Sequence, residues 1–185
     1  ETTTTKRKSC VVSRSFGKRV EKFQELKEAV ANYCLNASEK VRSESLVAKA
    51  ITIFVRTSPF QRNYGYYSNA ETVDFPIATN NSIEIVKTAV NILEKIFKNG
   101  YQYQKAGVML TGLCDDDRKK NLFSSEKDEK INSLMRSIDN TNYRYGRSTL
   151  SLASAGVQKK WNMKREYSSK IDTADFYSLP KIKAI

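Results

Sequence analysis

Histidine is absent from this 185-residue chain, and proline (three), cysteine (three) and glycine (seven) are scarce. Without imidazole the commonest general base and metal ligand are missing, which disfavours a hydrolase or a zinc enzyme. Cys10, Cys34 and Cys114 are odd in number, far apart and in no C-x-x-C pair. Neither a disulfide framework nor a zinc site is indicated, and the usage fits a reducing, cytoplasmic compartment. No apolar run approaches the roughly 20 residues that cross a bilayer, and no secretory signal opens the chain. A membrane is therefore disfavoured as the partner.

What the chain has in excess is positive charge. Lys and Arg number 32 against 20 Asp and Glu, a formal charge of +12. Such a field attracts polyanions. Apolar residues make up 39% of the sequence, enough for a core, and the length suits one full domain with a smaller appendage. The opening Glu1, the run Thr2 to Thr5 and Lys6-Arg7-Lys8 read as a polar linker over 1–9, and they suggest a piece of something longer.

The hydrophobic pattern predicts a β-α-β-β-α-β order over 10–113. A strand begins at Cys10, and Ser13-Arg14-Ser15-Phe16-Gly17-Lys18-Arg19 is expected where it gives way to a helix. Hydroxyls, a glycine and cations at a helix N-terminus would suit phosphate, because unpaired N–H groups gather there. Val20, Phe23, Leu26, Val30, Tyr33, Cys34, Ala37 and Val41 recur at helical spacing to about Ser43. From Ala48 to Thr57 the period becomes two, with Ile51, Ile53 and Val55 on one face and Thr52, Phe54 and Arg56 on the other. Thr72 to Phe75 reads as a short strand.

Asn81 or Ser82 caps a second helix, and Glu84 stands where a capping box needs it. That helix carries the stripe Val86, Ala89, Val90, Leu93, Ile96, Phe97 and stops at Asn99-Gly100. A last strand runs from Tyr103 to Leu113. The fold class is α+β: a four-stranded sheet with two helices on one face and the other face open. A charged stretch, 114–126, separates this unit from a small helical or mixed extension over 127–185. In that extension a helix is expected over Lys127 to Tyr143, with a short strand over Thr149 to Leu152. Met135 and Trp161 are expected in the extension's own core. Lys159, Lys160, Lys164 and Arg165 around the tryptophan would face DNA or an acidic partner.

Several segments in this order resemble UmuC-like Y-family translesion DNA polymerases, the type of the DNA polymerase V catalytic subunit, in their C-terminal part. They include Ser13-Arg14-Ser15-Phe16-Gly17, Glu39-Lys40-Val41-Arg42-Ser43-Glu44, Thr57-Ser58-Pro59-Phe60, Tyr103-Gln104-Lys105-Ala106-Gly107-Val108-Met109-Leu110, Asn121-Leu122-Phe123, Gly146-Arg147-Ser148-Thr149-Leu150 and Trp161-Asn162-Met163-Lys164-Arg165. The resemblance covers nearly the whole chain. It implies that 10–113 is a little finger domain, whose open sheet lies along template–primer duplex during lesion bypass in the SOS response to DNA damage. It also implies that the catalytic palm, with its Mg2+ ions, lies elsewhere and that this portion has no catalysis or cofactor of its own. Asp115-Asp116-Asp117 is rejected as a metal site, because adjacent loop carboxylates rarely converge on one ion. Lys119-Lys120-Asn121-Leu122-Phe123 stands where such polymerases carry a sliding-clamp peptide. Leu122 and Phe123 would then fill the clamp's pocket, although Lys119 replaces the usual Gln. UmuD-type and RecA-type accessory proteins are further partners that the resemblance implies.

The residues expected to grip DNA phosphates are Ser13, Arg14, Ser15, Lys18 and Arg19, then Thr52 and Arg56, then Gln104 and Lys105. Gly107 is read as a β-bulge mark that blurs the facing of the last pair. Phe54 is expected to pack against a neighbour rather than stack on a base, and Tyr64, Tyr66 and Tyr67 to occupy a turn. Two other classes remain open: an RNA-binding module of the ferredoxin-like type, and a protein-interaction adaptor whose charge serves solubility.

Overall fold

The computed structural model describes residues 7–60, 65–116, 126–159 and 161–163. The element order is β1 (Ser9–Val20), α1 (Phe23–Ser43), β2 (Leu46–Thr57), β3 (Ser68–Thr79), α2 (Ser82–Ile96), β4 (Tyr103–Thr111), β5 (Cys114–Asp115) and α3 (Glu126–Tyr145). A 3-10 turn follows over Ala153–Ala155. The expected β-α-β-β-α-β order is borne out. The sheet runs β1-β4-β2-β3, every neighbouring pair antiparallel, so β4 and β2 are central and β1 and β3 form the edges.

Alternation explains the layers. Cross-strand partners share a face, and the rows Cys10–Leu110–Ile51–Val73 and Val12–Val108–Ile53–Glu71 turn toward the helices. Ile51, Ile53, Val55, Ala106, Val108 and Leu110 are closed to solvent there. Both helices cover this one face. They meet each other through the buried Ser38 and Ser82 hydroxyls, 2.7 Å apart. From α1, Leu26, Val30, Cys34 and Val41 enter the core; from α2, Ile85, Ala89, Ile92, Leu93 and Ile96 do so. Burial alone pushes the Cys34 thiol far above the ordinary thiol range.

Several boundaries differ from the sequence expectation. The first strand extends to Val20, so Ser13 to Arg19 lie inside β1 and not at a helix start. The helix begins at Phe23, and its N-cap residue, Lys22, makes no side-chain cap. β3 is 12 residues long. It tolerates Pro76 because an edge strand has a row of N–H groups that need no ladder partner. Asn81 caps α2, its side chain accepting from the Ile83 N–H at 3.0 Å. The helix ends at Ile96, before Asn99-Gly100. β5 is an unexpected short strand, paired with Leu46 and Val47 beyond the reach of β4. Asp115 thus sits in a strand, and the Asp116 N–H donates to the Ser45 carbonyl at 3.1 Å.

Among its described residues, the C-terminal extension buries Met135 outside the main core cluster and Trp161 within it. Its helix α3 docks on the end of α1, where Arg42 grips both carboxylate oxygens of Asp139 at 2.7 and 2.8 Å. The same guanidinium donates to the Asn80 carbonyl and the Ser82 hydroxyl at 2.7 and 2.8 Å, tying α1, α2 and α3 together. Such a bidentate pair is geometrically specific. Thr149 to Leu152 is no strand: the Asn142 side chain holds both the N–H and the carbonyl of Leu150. Trp161 belongs to the core of the first domain, contrary to the expectation of a separate small core.

Candidate nucleic-acid interface

The sheet face away from the helices carries four rows: Ser9–Thr111–Ala50–Asp74, Val11–Met109–Thr52–Thr72, Ser13–Gly107–Phe54–Ala70 and Ser15–Lys105–Arg56–Ser68. The predicted Thr52, Phe54 and Arg56 do share this face. Its most telling feature is the last row. Lys105 and Arg56 are directly opposed on the two central strands, flanked by the hydroxyls of Ser15 and Ser68. Like charges set opposite each other destabilise a sheet, and neither cation has an ion pair among the described residues. An anion lying across the row would relieve that repulsion. The face ends in the single acid Asp74 at the far row, so its charge is polarised along the strands.

Not all predicted phosphate contacts gather here. Ser13 and Ser15 do, and so do Arg56 and Lys105. Thr52 is on the face but only 9% exposed, with its hydroxyl 2.8 Å from that of Thr72. Arg14 points to the opposite layer, since its partner Ala106 is a core residue. There its charge moderates Tyr33, whose hydroxyl burial pushes up to about 12. Lys18 is engaged at 3.3 Å by Glu25 of α1. Arg19 is exposed on the β1 edge in the stretch between Ser15 and Val20, where the ladder to β4 is interrupted. Gln104 is the extra residue of a bulge, because Arg56 pairs with Lys105 while Thr57 pairs with Tyr103. The bulge therefore lies at Gln104 and not at Gly107.

Gly107 has a different purpose. A Cβ there would enter the ring of Phe54 and stand 2.5 Å from the Ser13 Cβ. The bare backbone lets the Phe54 ring approach β4 closely at Gly107, so this aromatic is packed, as expected from the sequence. Ser68 was not foreseen as part of the site. The polar residues Ser68, Thr72 and Asp74, at even spacings along one face of β3, carry the sequence signal for it. Tyr67 is structural: its hydroxyl donates to the Ile96 carbonyl at 2.7 Å and its ring packs on Tyr101 and Tyr103. Tyr66 is exposed, and Tyr64 lies outside the described residues.

Leu122, Phe123 and Lys119 also lie outside the described residues, as do Asp117, Lys160, Lys164 and Arg165. Among the described residues no group of acidic or thiol side chains is gathered that could hold a metal ion. No helix of the described residues is long and apolar enough to cross a membrane.

Fold and face together define, among the described residues, a two-layer α+β module with an open polar sheet face and a cation pair that has no acidic partner. The chain belongs to the impB/mucB/samB family, matching the model of the family's C-terminal domain over residues 7–122. Residues 132–182 match a second model, described only as a domain of unknown function. The chain is 38% identical over 175 residues to UmuC of Salmonella typhimurium strain LT2, which covers 94% of this chain and 42% of that protein. It is 34% identical to MucB of Salmonella typhimurium, over 92% of this chain and 40% of that one. The chain thus spans less than half of either relative. The resemblance to UmuC is borne out. Among solved structures, the insertion ternary complex of Dbh DNA polymerase aligns with a TM-score of 0.49 and 11% identity, over 58% of this chain and 29% of that chain.

Proposed function

We propose that this chain is the duplex-gripping portion of an error-prone translesion DNA polymerase, a little finger domain that holds template–primer DNA during SOS lesion bypass. The observation that carries the reading is the row Ser15–Lys105–Arg56–Ser68, two opposed cations between two hydroxyls on an open face. Short polar groups and cations of this kind hold phosphates and position the duplex without reading bases. Family membership supports the same reading, and the polymerase chemistry, with its Mg2+ ions, would reside in the part of the relatives that this chain does not span.

Affinity for duplex DNA should be indifferent to sequence and fall steeply with salt, because released counterions drive it. A salt titration with mixed-sequence duplexes tests this. A flat response, or strong preference for one sequence, would overturn the reading. Single-stranded RNA is the alternative ligand for an open α+β sheet, but RNA modules stack bases on several exposed aromatics. Here Phe54 is the one aromatic in the four rows, and its ring is spent on Gly107. Duplex DNA should therefore outcompete single-stranded RNA. Docking to a sliding clamp through Leu122 and Phe123 is part of the same proposal and rests on sequence alone; Phe123→Ala should abolish retention on immobilised clamp. UmuD-type and RecA-type proteins are proposed as accessory partners on the same footing.

A further inference from the structure

We propose that the described part of the C-terminal extension, 126–159 with 161–163, works as an intramolecular clasp, with Trp161 as a plug seated on β1 and α1. This gives a role to the region whose family model carries no function. Trp161 is the chain's single tryptophan and is 2% exposed. Its ring meets Tyr33 of α1 edge-on at 5.6 Å and Phe16 of β1 at 6.4 Å. Its carbonyl accepts the Gly17 N–H at 3.1 Å, so the tail supplies a partner to an edge strand where the ladder is interrupted.

Gly17 is small for a steric reason. A Cβ there would stand 2.5 Å from the Asn162 carbonyl oxygen and 2.9 Å from the Met163 Cα. Both are backbone atoms, which cannot swing aside as a side chain would. Midway along the extension, Gly156 passes Glu28 of α1 with φ +67, and a Cβ there would lie 2.5 Å from the Glu28 Oε2. At the far end the Arg42–Asp139 pair anchors α3. Three contacts therefore run along α1, and the last of them holds the stretch of β1 that has left the ladder. The seat is imperfect: the Trp161 Nε1 and the Tyr33 hydroxyl are both buried without a hydrogen-bond partner among the described residues. Unmet buried polar groups weaken a contact, which is what separates a releasable clasp from an ordinary piece of core.

Two variants of the full chain test this from opposite sides. Gly17→Ala alters only the seat, and Trp161→Ser only the plug. Selective excitation of the single tryptophan should show a buried indole in the parent protein and a solvated one in Gly17→Ala. Amide exchange over residues 16–19 should rise roughly tenfold or more in either variant, while β2 and β4 keep their protection, as expected for a local opening. The double variant should exchange no faster than either single one. A buried indole in Gly17→Ala, or unchanged exchange at 16–19 in Trp161→Ser, overturns the clasp. Equal loss of protection throughout β2 and β4 in both variants overturns it too, because the tail would then belong to one cooperative core.

Discussion

The two faces of β4 are made from alternate residues of one short sequence, and they have opposite characters. Ala106, Val108 and Leu110 are sealed beneath α1 and α2, whereas Lys105, Gly107 and Met109 lie on the uncovered side. The covered face is built for density and the other for access. One residue of slippage would exchange them, so the ladder register stands between a stable core and a usable surface. The open face is also the costlier design. It sets Arg56 against Lys105 where a sheet left to itself would favour opposite charges.

The sharpest way to break this comparison is to truncate neighbours in sequence. Leu110→Ala should lose about 2–5 kcal/mol, as large-to-small changes in a sealed core do. Met109→Ala, on the open side, should lose less than about 1 kcal/mol on surface precedent. Urea unfolding of the two variants checks this, and similar losses would mean that the open face is covered in solution.

Gly107→Ala should come next, costing about 1–3 kcal/mol through overpacking. It forces a methyl group into the ring of Phe54. Adding Phe54→Ala should recover part of that loss, a non-additivity that a double-mutant cycle measures. Strict additivity would show that the ring does not rest on the glycine.

Arg56→Ala and Lys105→Ala should reverse the pattern. Each should leave stability unchanged or raise it by about 0.2–1 kcal/mol by relieving a like-charge pair. Each should also weaken duplex binding and flatten the dependence of log affinity on log salt by about one. Arg14→Ala should do neither to the same degree, because its side chain belongs to the helix layer.

The smallest effect concerns pH. The Tyr33 hydroxyl is raised to about 12 by burial, with Arg14 pulling slightly the other way. An unfolded tyrosine titrates near 10, so between these values the folded chain holds a proton that the unfolded chain has lost. The contribution of Tyr33 is thus complete below about pH 10 and is lost as pH rises through the folded value. Tyr33→Phe should leave neutral-pH stability intact or improved and make the alkaline decline shallower, as thermal melts from pH 9 upward would reveal.

Much of this was legible in the chain itself. The period of two in Ile51, Ile53, Val55 against Thr52, Phe54, Arg56 assigned both faces of β2 correctly. The 3.6 period of α1 and the Asn81 cap of α2 located two helices. The failures share a cause. The run Ser13 to Arg19 reads as a strand-to-helix junction because hydroxyls and cations gather at helix starts, yet β1 runs on to Val20, where pairing with Tyr103 of β4 resumes after the interruption. Arg14 and Ser15 look equivalent as phosphate ligands, and only the register separates them. Trp161 looked like the centre of a small core because nothing local reveals a seat 144 residues upstream at Gly17.

The sequence by itself determined the layer plan and the excess positive charge, because side-chain period and net charge are local or additive properties. Which cations stand together, why Gly17 and Gly107 must lack side chains, and where the tail comes to rest were decided by the tertiary structure. Those depend on strand register and on close approach of distant backbone, and neither leaves a periodic trace along the chain.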